Sequence, residues 1–128
     1  MASDYVHTNI DDIEDLAPKY GMEFGEARVI HAALGTEQAG ASYYRMAPGK
    51  RFGFGHRHTD AEEIYLVLEG SGRVKLDDEI RDLARLDVLH CPPAVMREFE
   101  GGPEGMTLLA VGQHLKGDGE MVPGWWTD

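Results

Sequence analysis

The sequence predicts an all-β fold, an antiparallel sheet closed on itself or folded into two layers, with one short helix at its N-terminal side. From residue 27 onward apolar residues recur with a period of two, which is the spacing of strands. Sixteen glycines in 128 residues supply the many turns that short strands need. After residue 20 no helical stretch separates the strands, which argues against a parallel α/β sheet.

The elements follow in order. Residues 8–17 read as an amphipathic helix. Thr8 or Asn9 offers a cap, Ile10, Ile13 and Leu16 recur at helical spacing, acidic residues fill the first turns, and Pro18 follows the end. Strands are expected over 27–33, 41–47 and 52–58, the last interrupted by glycines. Residues 63–68 are apolar and β-branched enough for a strand buried on both sides. Residues 73–76 and 80–83 flank a hairpin turn at Asp77-Asp78. Strands over 87–91, 97–100 and 106–112 complete the set. So many short strands close most naturally as a double-sheet jelly roll, which limits exposed edges. The glycine-rich tail from Gly117 ends in Trp125-Trp126, and such apolar area calls for packing on the barrel or on a partner subunit.

One domain over residues 1–128 suits this length, and a core can form without disulfides or metals to brace it. Cys91 is the single cysteine, so it has no internal partner, and it reads as a small buried apolar residue. A formal net charge of −11 argues against nucleic acid and against anionic membrane surfaces. The N-terminus has neither a basic region nor an apolar run, so no signal peptide or membrane span is expected and a cytoplasmic location follows by default.

The chemistry concentrates in Gly53-Phe54-Gly55-His56-Arg57-His58-Thr59-Asp60-Ala61-Glu62-Glu63. Residues i and i+2 of a strand face one side, so His56 and His58 can grip one ion together. Glu63 opens the next strand and can complete a facial set of two imidazoles and one carboxylate, which suits iron(II) or a similar metal. Glu62 is the competing carboxylate, and His90 is a further imidazole of uncertain facing. Tyr65 lies two residues beyond Glu63 and should face the same interior. Phe52, Phe54, Tyr43, Tyr44, Met46 and Met96 are expected to line the barrel or its mouth.

His56, His58, four intervening residues, Glu63, six more and Gly70 resemble the first motif of the cupin superfamily. The leading glycine is displaced by one, because Gly49 lies six residues before His56 rather than five. Residues 64–72 are similar to the family's strand and turn, and the likeness runs over about residues 40–112. The resemblance implies a cupin-type double-stranded β-helix, frequent homodimers, a small-molecule ligand, and often a divalent metal (Fe, Mn, Ni or Zn) held by three His and one Glu. The second motif departs from the family. Aligned on Pro92, its glycine, glycine, histidine and asparagine positions hold Leu86, Ala94, Arg97 and Gly101.

Arg97 therefore stands where the family's fourth ligand would be. A guanidinium is permanently charged and has no lone pair for a metal. Two readings follow. In one, His56, His58 and Glu63 hold the metal while Arg97, with Tyr65 beside it as the second candidate catalytic residue, orients a small anionic metabolite. In the other, Arg97 takes the metal's place against Glu63, and the barrel is a metal-free small-molecule or sugar binder or isomerase. Dioxygenase, isomerase or lyase chemistry, metal-free acid–base chemistry at His56 or His58, and simple ligand binding all sit on this fold. A homodimer through barrel faces or exchanged N-terminal strands is expected from the resemblance and from the exposed edges of a small sheet.

Overall fold

The computed structural model describes residues 4–128. A 3-10 turn at Ile10–Asp12 precedes β1 (Gly25–Val29), a one-turn helix α1 (Ile30–Leu34), β2 (Ala39–Met46), β3 (Phe54–His58) and β4 (Glu63–Leu76). Then come β5 (Glu79–Leu83), β6 (Val88–Cys91), β7 (Arg97–Gln113) and β8 (Gly119–Pro123). The fold is the all-β jelly roll that the sequence predicts.

Two long strands carry the architecture. The first half of β4, Glu63–Gly70, pairs with the second half of β7, and its last residues, Gly72–Leu76, pair with the first half of β7. Register shifts between Val67 and Glu69 and between Gly70 and Gly72 bend β4 where it passes from one layer to the other. One layer runs β1-β2-β7-β4-β6 and the other β8-β3-β7-β4-β5. The stretches 63–68 and 73–76, read as separate strands, are thus one bent strand, and so are 97–100 and 106–112. Glycines at the bends conceal the continuity. Gly70 sits at φ +76°, and a Cβ there would lie 2.2 Å from the carbonyl oxygen of Gly105 on the partner strand.

Phe24, Met46, Phe52, Tyr65, Val67, Val74, Cys91, Phe99, Met106 and Leu108 form the core between the layers. Alternation is clean on β4, where Tyr65 and Val67 point in while Ile64 is 49% exposed. That strand is fully buried on one side only, not on both, because its outer residues Ile64, Leu66 and Leu68 keep part of their surface exposed. Tyr43 likewise lies opposite in facing to Tyr44, which packs against the core. Cys91 is buried and free, and burial pushes its thiol up to about 11 even though the Arg97 charge pulls the other way.

Three expectations need correction. The helix over 8–17 is a single 3-10 turn capped by Asn9. Beyond it, the Asp15 carboxylate accepts from the N–H groups of Ala17 (3.0 Å) and Ala27 (2.9 Å), and Leu16 N–H donates to the Ala27 carbonyl (2.8 Å). These bonds to β1 take the groups that a helix would use, and they bury Ile13 and Ala17. The strand expected over 27–33 stops at Val29. Ile30 to Leu34 then form a helical turn closed by Gly35 at φ 69°, a C-terminal cap that period-two counting overlooks. Finally, the tail contains a strand, because β8 pairs along β3 from Phe54 with Pro123 to His58 with Gly119. Trp126 is buried beneath the Arg51 guanidinium, 4.0 Å from its ring, and Trp125 covers Gly55 so closely that a Cβ there would meet the ring at 2.6 Å. Among the described residues no helix is long and apolar enough to cross a membrane.

Leu86, which aligns with the family's glycine, keeps the left-handed backbone at φ 71°. Two stability measurements follow, both read as shifts of the urea midpoint. Gly70→Ala combines a φ that L residues rarely adopt with a backbone clash and should cost about 3 kcal/mol or more. Leu86→Gly should gain up to ~1 kcal/mol, since relief of roughly 1–2 kcal/mol of left-handed strain is partly offset by glycine's larger unfolded-state entropy.

Candidate functional site

The site starts from β3. His56 and His58 alternate with Arg57, which turns outward to Glu120 at 3.0 Å. The imidazoles therefore share the inner face, with ring centroids 5.5 Å apart. The turn after His58 is held by Asp118, which precedes β8. Its carboxylate accepts from the backbone N–H of Asp60 (3.0 Å) and Ala61 (2.9 Å). The chain then enters β4 with Glu63 and Tyr65 facing inward, and β7 begins with Arg97 opposite His56.

The polar groups converge on one atom, Glu63 Oε1. The Tyr65 hydroxyl donates to it at 2.6 Å and Arg97 Nη2 at 3.2 Å. His56 Nε2 lies 3.4 Å away and His58 Nε2 3.2 Å. His56 Nε2 also stands 3.3 Å from the Tyr65 oxygen. Burial alone would raise the Glu63 carboxyl, but the hydrogen bonds from His56 and Tyr65, together with the electrostatic pull of the two neighbouring imidazoles, hold it down at about 2. Burial pushes the Tyr65 hydroxyl well above its ordinary range, and the Glu63 charge adds to the effect, so Tyr65 acts as a donor.

Arg97 is 0% exposed. Beyond Glu63, its Nη1 donates to the carbonyl oxygens of Val95 (2.6 Å), Pro93 (3.3 Å) and His56 (3.5 Å). The guanidinium is buried against Glu63 and does not line the cavity above the cluster. Arg97 Nη2 pairs with Glu63 Oε1 at 3.2 Å. Glu62 and His90, the competing carboxylate and imidazole, bond to each other at 2.9 Å on the outer surface and take no part.

His56, His58 and Glu63 each present a ligand atom within 4.8 Å of the others. His56 Nδ1 and both nitrogens of His58 are buried without a hydrogen-bond partner. Donors held about 2.1 Å from one ion lie roughly 3.0–3.4 Å apart, which is close to the separations from each Nε2 to Glu63 Oε1. The donor set thus fits a divalent metal with open positions. Arg97, 3.2 Å from the carboxylate, is a fixed cation that opposes a second positive charge there.

Above the cluster opens a cavity of about 400 Å3 whose wall is mostly apolar: Leu16, Met22, Phe24, Tyr44, Phe52, Phe54 and Met121. Phe24, Tyr44 and Phe52 meet edge-on at 4.6–6.2 Å between centroids, and Phe54 stacks on Phe52 at 5.8 Å. His31 of α1 and Ser42 of β2 are further polar side chains on the wall. Of these lining residues the sequence reading finds Tyr44, Phe52 and Phe54. The N-terminal segment, His31 and Asp118 escape it, since no local spacing ties them to β3.

Among solved structures, the chain superposes on the polyketide cyclase RemF from Streptomyces resistomycificus with a TM-score of 0.75 and 17% identity, covering 96% of this chain and 87% of that one. It superposes on a sugar phosphate isomerase from a cupin superfamily of Silicibacter pomeroyi with a TM-score of 0.73 and 18% identity, covering 92% of each. At such identities the likeness is one of fold. A curated relative, an uncharacterised protein of Methanocaldococcus jannaschii, is 38% identical over 45 residues, 35% of this chain and 36% of the relative, so the match spans about a third of that protein. Residues 42–112, more than half of the chain, match the family described as "Cupin domain". With the bent-strand jelly roll and the inward His56, His58 and Glu63, that match makes the chain a member of the cupin family.

Proposed function

We propose that this protein holds a divalent metal through His56, His58 and Glu63 and acts on a small, largely apolar molecule that enters the aromatic cup and brings an oxygen atom to the cluster. The convergence on one ionised carboxylate of two imidazoles, three of whose four nitrogens are buried without a hydrogen-bond partner, carries this reading. When bound, the metal supplies a Lewis acid that polarises a coordinated oxygen. Tyr65 and Arg97 keep Glu63 charged and fixed, and the ring cluster excludes water and positions the apolar part of the ligand. The cavity wall favours an apolar or aromatic substrate over the anionic metabolite suggested by Arg97 alone.

A second reading is favoured by the Arg97–Glu63 ion pair, which already neutralises the carboxylate. In it the barrel is metal-free and binds its ligand by shape, with His56 or His58 as proton carrier. Metal titration separates the two. Under the first reading, metal-stripped protein takes up one cobalt(II) per chain by elemental analysis, and His56→Ala or Glu63→Gln abolishes the uptake. Equal uptake by the variants, or none by the parent protein, overturns it. Arg97→His removes the opposing cation and supplies a third imidazole, so it should tighten cobalt binding by tenfold or more if the variant folds by circular dichroism.

The outer sheet face supports a homodimer. Ile64, Val111 and Ala41 lie in register across β4, β7 and β2, and Val88, Leu66, Leu109 and Tyr43 form the adjoining row across β6, β4, β7 and β2. Val88 is 71% exposed and Ile64 49%. Two such grids stacked face to face would cover this apolar area. Light scattering should give a dimer mass for the parent protein and a monomer mass for Ile64→Glu. A monomeric parent refutes the pairing.

A further inference from the structure

We propose that Asp118 is a positioning residue for the metal centre, fixing the tautomer of His58 so that Nδ1 carries the proton and Nε2 presents its lone pair to the ion. The proposal rests on the metal reading above. The pairing of His58 with Gly119 sets residue 118 beside the imidazole. Asp118 Oδ2 stands 3.3 Å from His58 Nδ1, while His58 Nε2 stands 3.2 Å from Glu63 Oε1 on the opposite side of the ring. The imidazole is therefore spanned by two carboxylates, one on each nitrogen.

The Asp118 contact lies at ion-pair distance but off the line of a straight hydrogen bond, and no hydrogen bond satisfies Nδ1. The carboxylate itself cannot drift, because its side chain is 6% exposed and is pinned by the N–H groups of Asp60 and Ala61. A neutral imidazole has one donor nitrogen and one acceptor nitrogen. Asp118 gives an Nδ1 proton an anionic neighbour, while Glu63 competes for the proton at Nε2 until an ion takes that nitrogen; with Nε2 coordinated, the proton belongs on Nδ1, facing Asp118. His56 has no matching group, since its Nδ1 is buried without a partner. The two ligands thus differ, with His58 oriented by a carboxylate and His56 set by its strand and by Tyr65 alone.

The arrangement also links the tail to the site. Asp118 belongs to the segment that leads into β8, so the pairing of β8 with β3 places both the turn before Glu63 and the proton on His58. A residue 55 positions after Glu63 in the chain acts on the same cluster.

Two measurements test the assignment. In zinc(II)-loaded parent protein labelled with 15N-histidine, long-range nitrogen–proton spectra should show His58 protonated at Nδ1 and coordinated through Nε2, and Asp118→Asn should move the Nδ1 proton resonance. A parent protein with His58 in the Nε2–H form overturns the proposal without any variant having to fold. In the second, cobalt(II) titration followed by visible absorption should give a dissociation constant about 10–100-fold weaker for Asp118→Asn, with recovery in Asp118→Glu. If parent and Asp118→Asn bind cobalt equally well, the proposal fails while the metal reading stands. If the parent binds no cobalt, the metal reading itself falls and takes this role of Asp118 with it.

Discussion

The charge on Glu63 is the constraint around which the rest of the site is arranged. A carboxylate in a barrel interior is costly unless its oxygens are matched by donors and its charge by a cation. Here one oxygen receives the Tyr65 hydroxyl and the Arg97 guanidinium and lies within 3.4 Å of both imidazoles. Arg97 in turn is buried with Glu63 and three carbonyl oxygens accepting from its two terminal nitrogens, while its Nε has no partner. Neither charge would be tolerable alone at that depth.

That pairing explains how a departure in the second motif can coexist with the histidines and glutamate of the first. A histidine at position 97 would add a third imidazole to the cluster, whereas the arginine adds a charge that opposes a metal ion while stiffening the Glu63 carboxylate. Under the proposed function, the result would be a three-donor centre with a permanent cation behind it rather than a four-donor centre. The cup above is lined by rings, so the polar chemistry is confined to its foot. A ligand there meets one reactive end and otherwise apolar wall, an arrangement that selects by shape and by a single oxygen contact.

The framework that holds this cluster is spread along the chain. The bent strands β4 and β7 bring Glu63 and Arg97 to the same interior, and close glycine contacts at the bends make their pairing continuous. The tail closes the other side through Trp126 under Arg51 and Trp125 over Gly55. Gly55 sits between the two site-bearing neighbours Phe54 and His56, so the packing of the last few residues bears directly on the strand that presents both imidazoles.

Local spacing was enough for the fold class and for half of the site. Alternation, glycine punctuation and the His-X-His step are short-range signals, because a strand's facing repeats every two residues. They indicated the all-β barrel, the shared face of His56 and His58, and the inward turn of Glu63 and Tyr65. Tertiary structure decided the rest, in places where a long-range partner outweighed local preference. Asp15 bonding to β1 replaced the helix over 8–17, and a glycine cap ended β1 early. Bends hid the unity of β4 and β7, and β8 formed only against β3. The depth of Arg97, the pairing of Glu62 with His90 outside the barrel, and the arrival of Asp118 at His58 depend on distances between segments far apart in the chain. No periodicity encodes such distances.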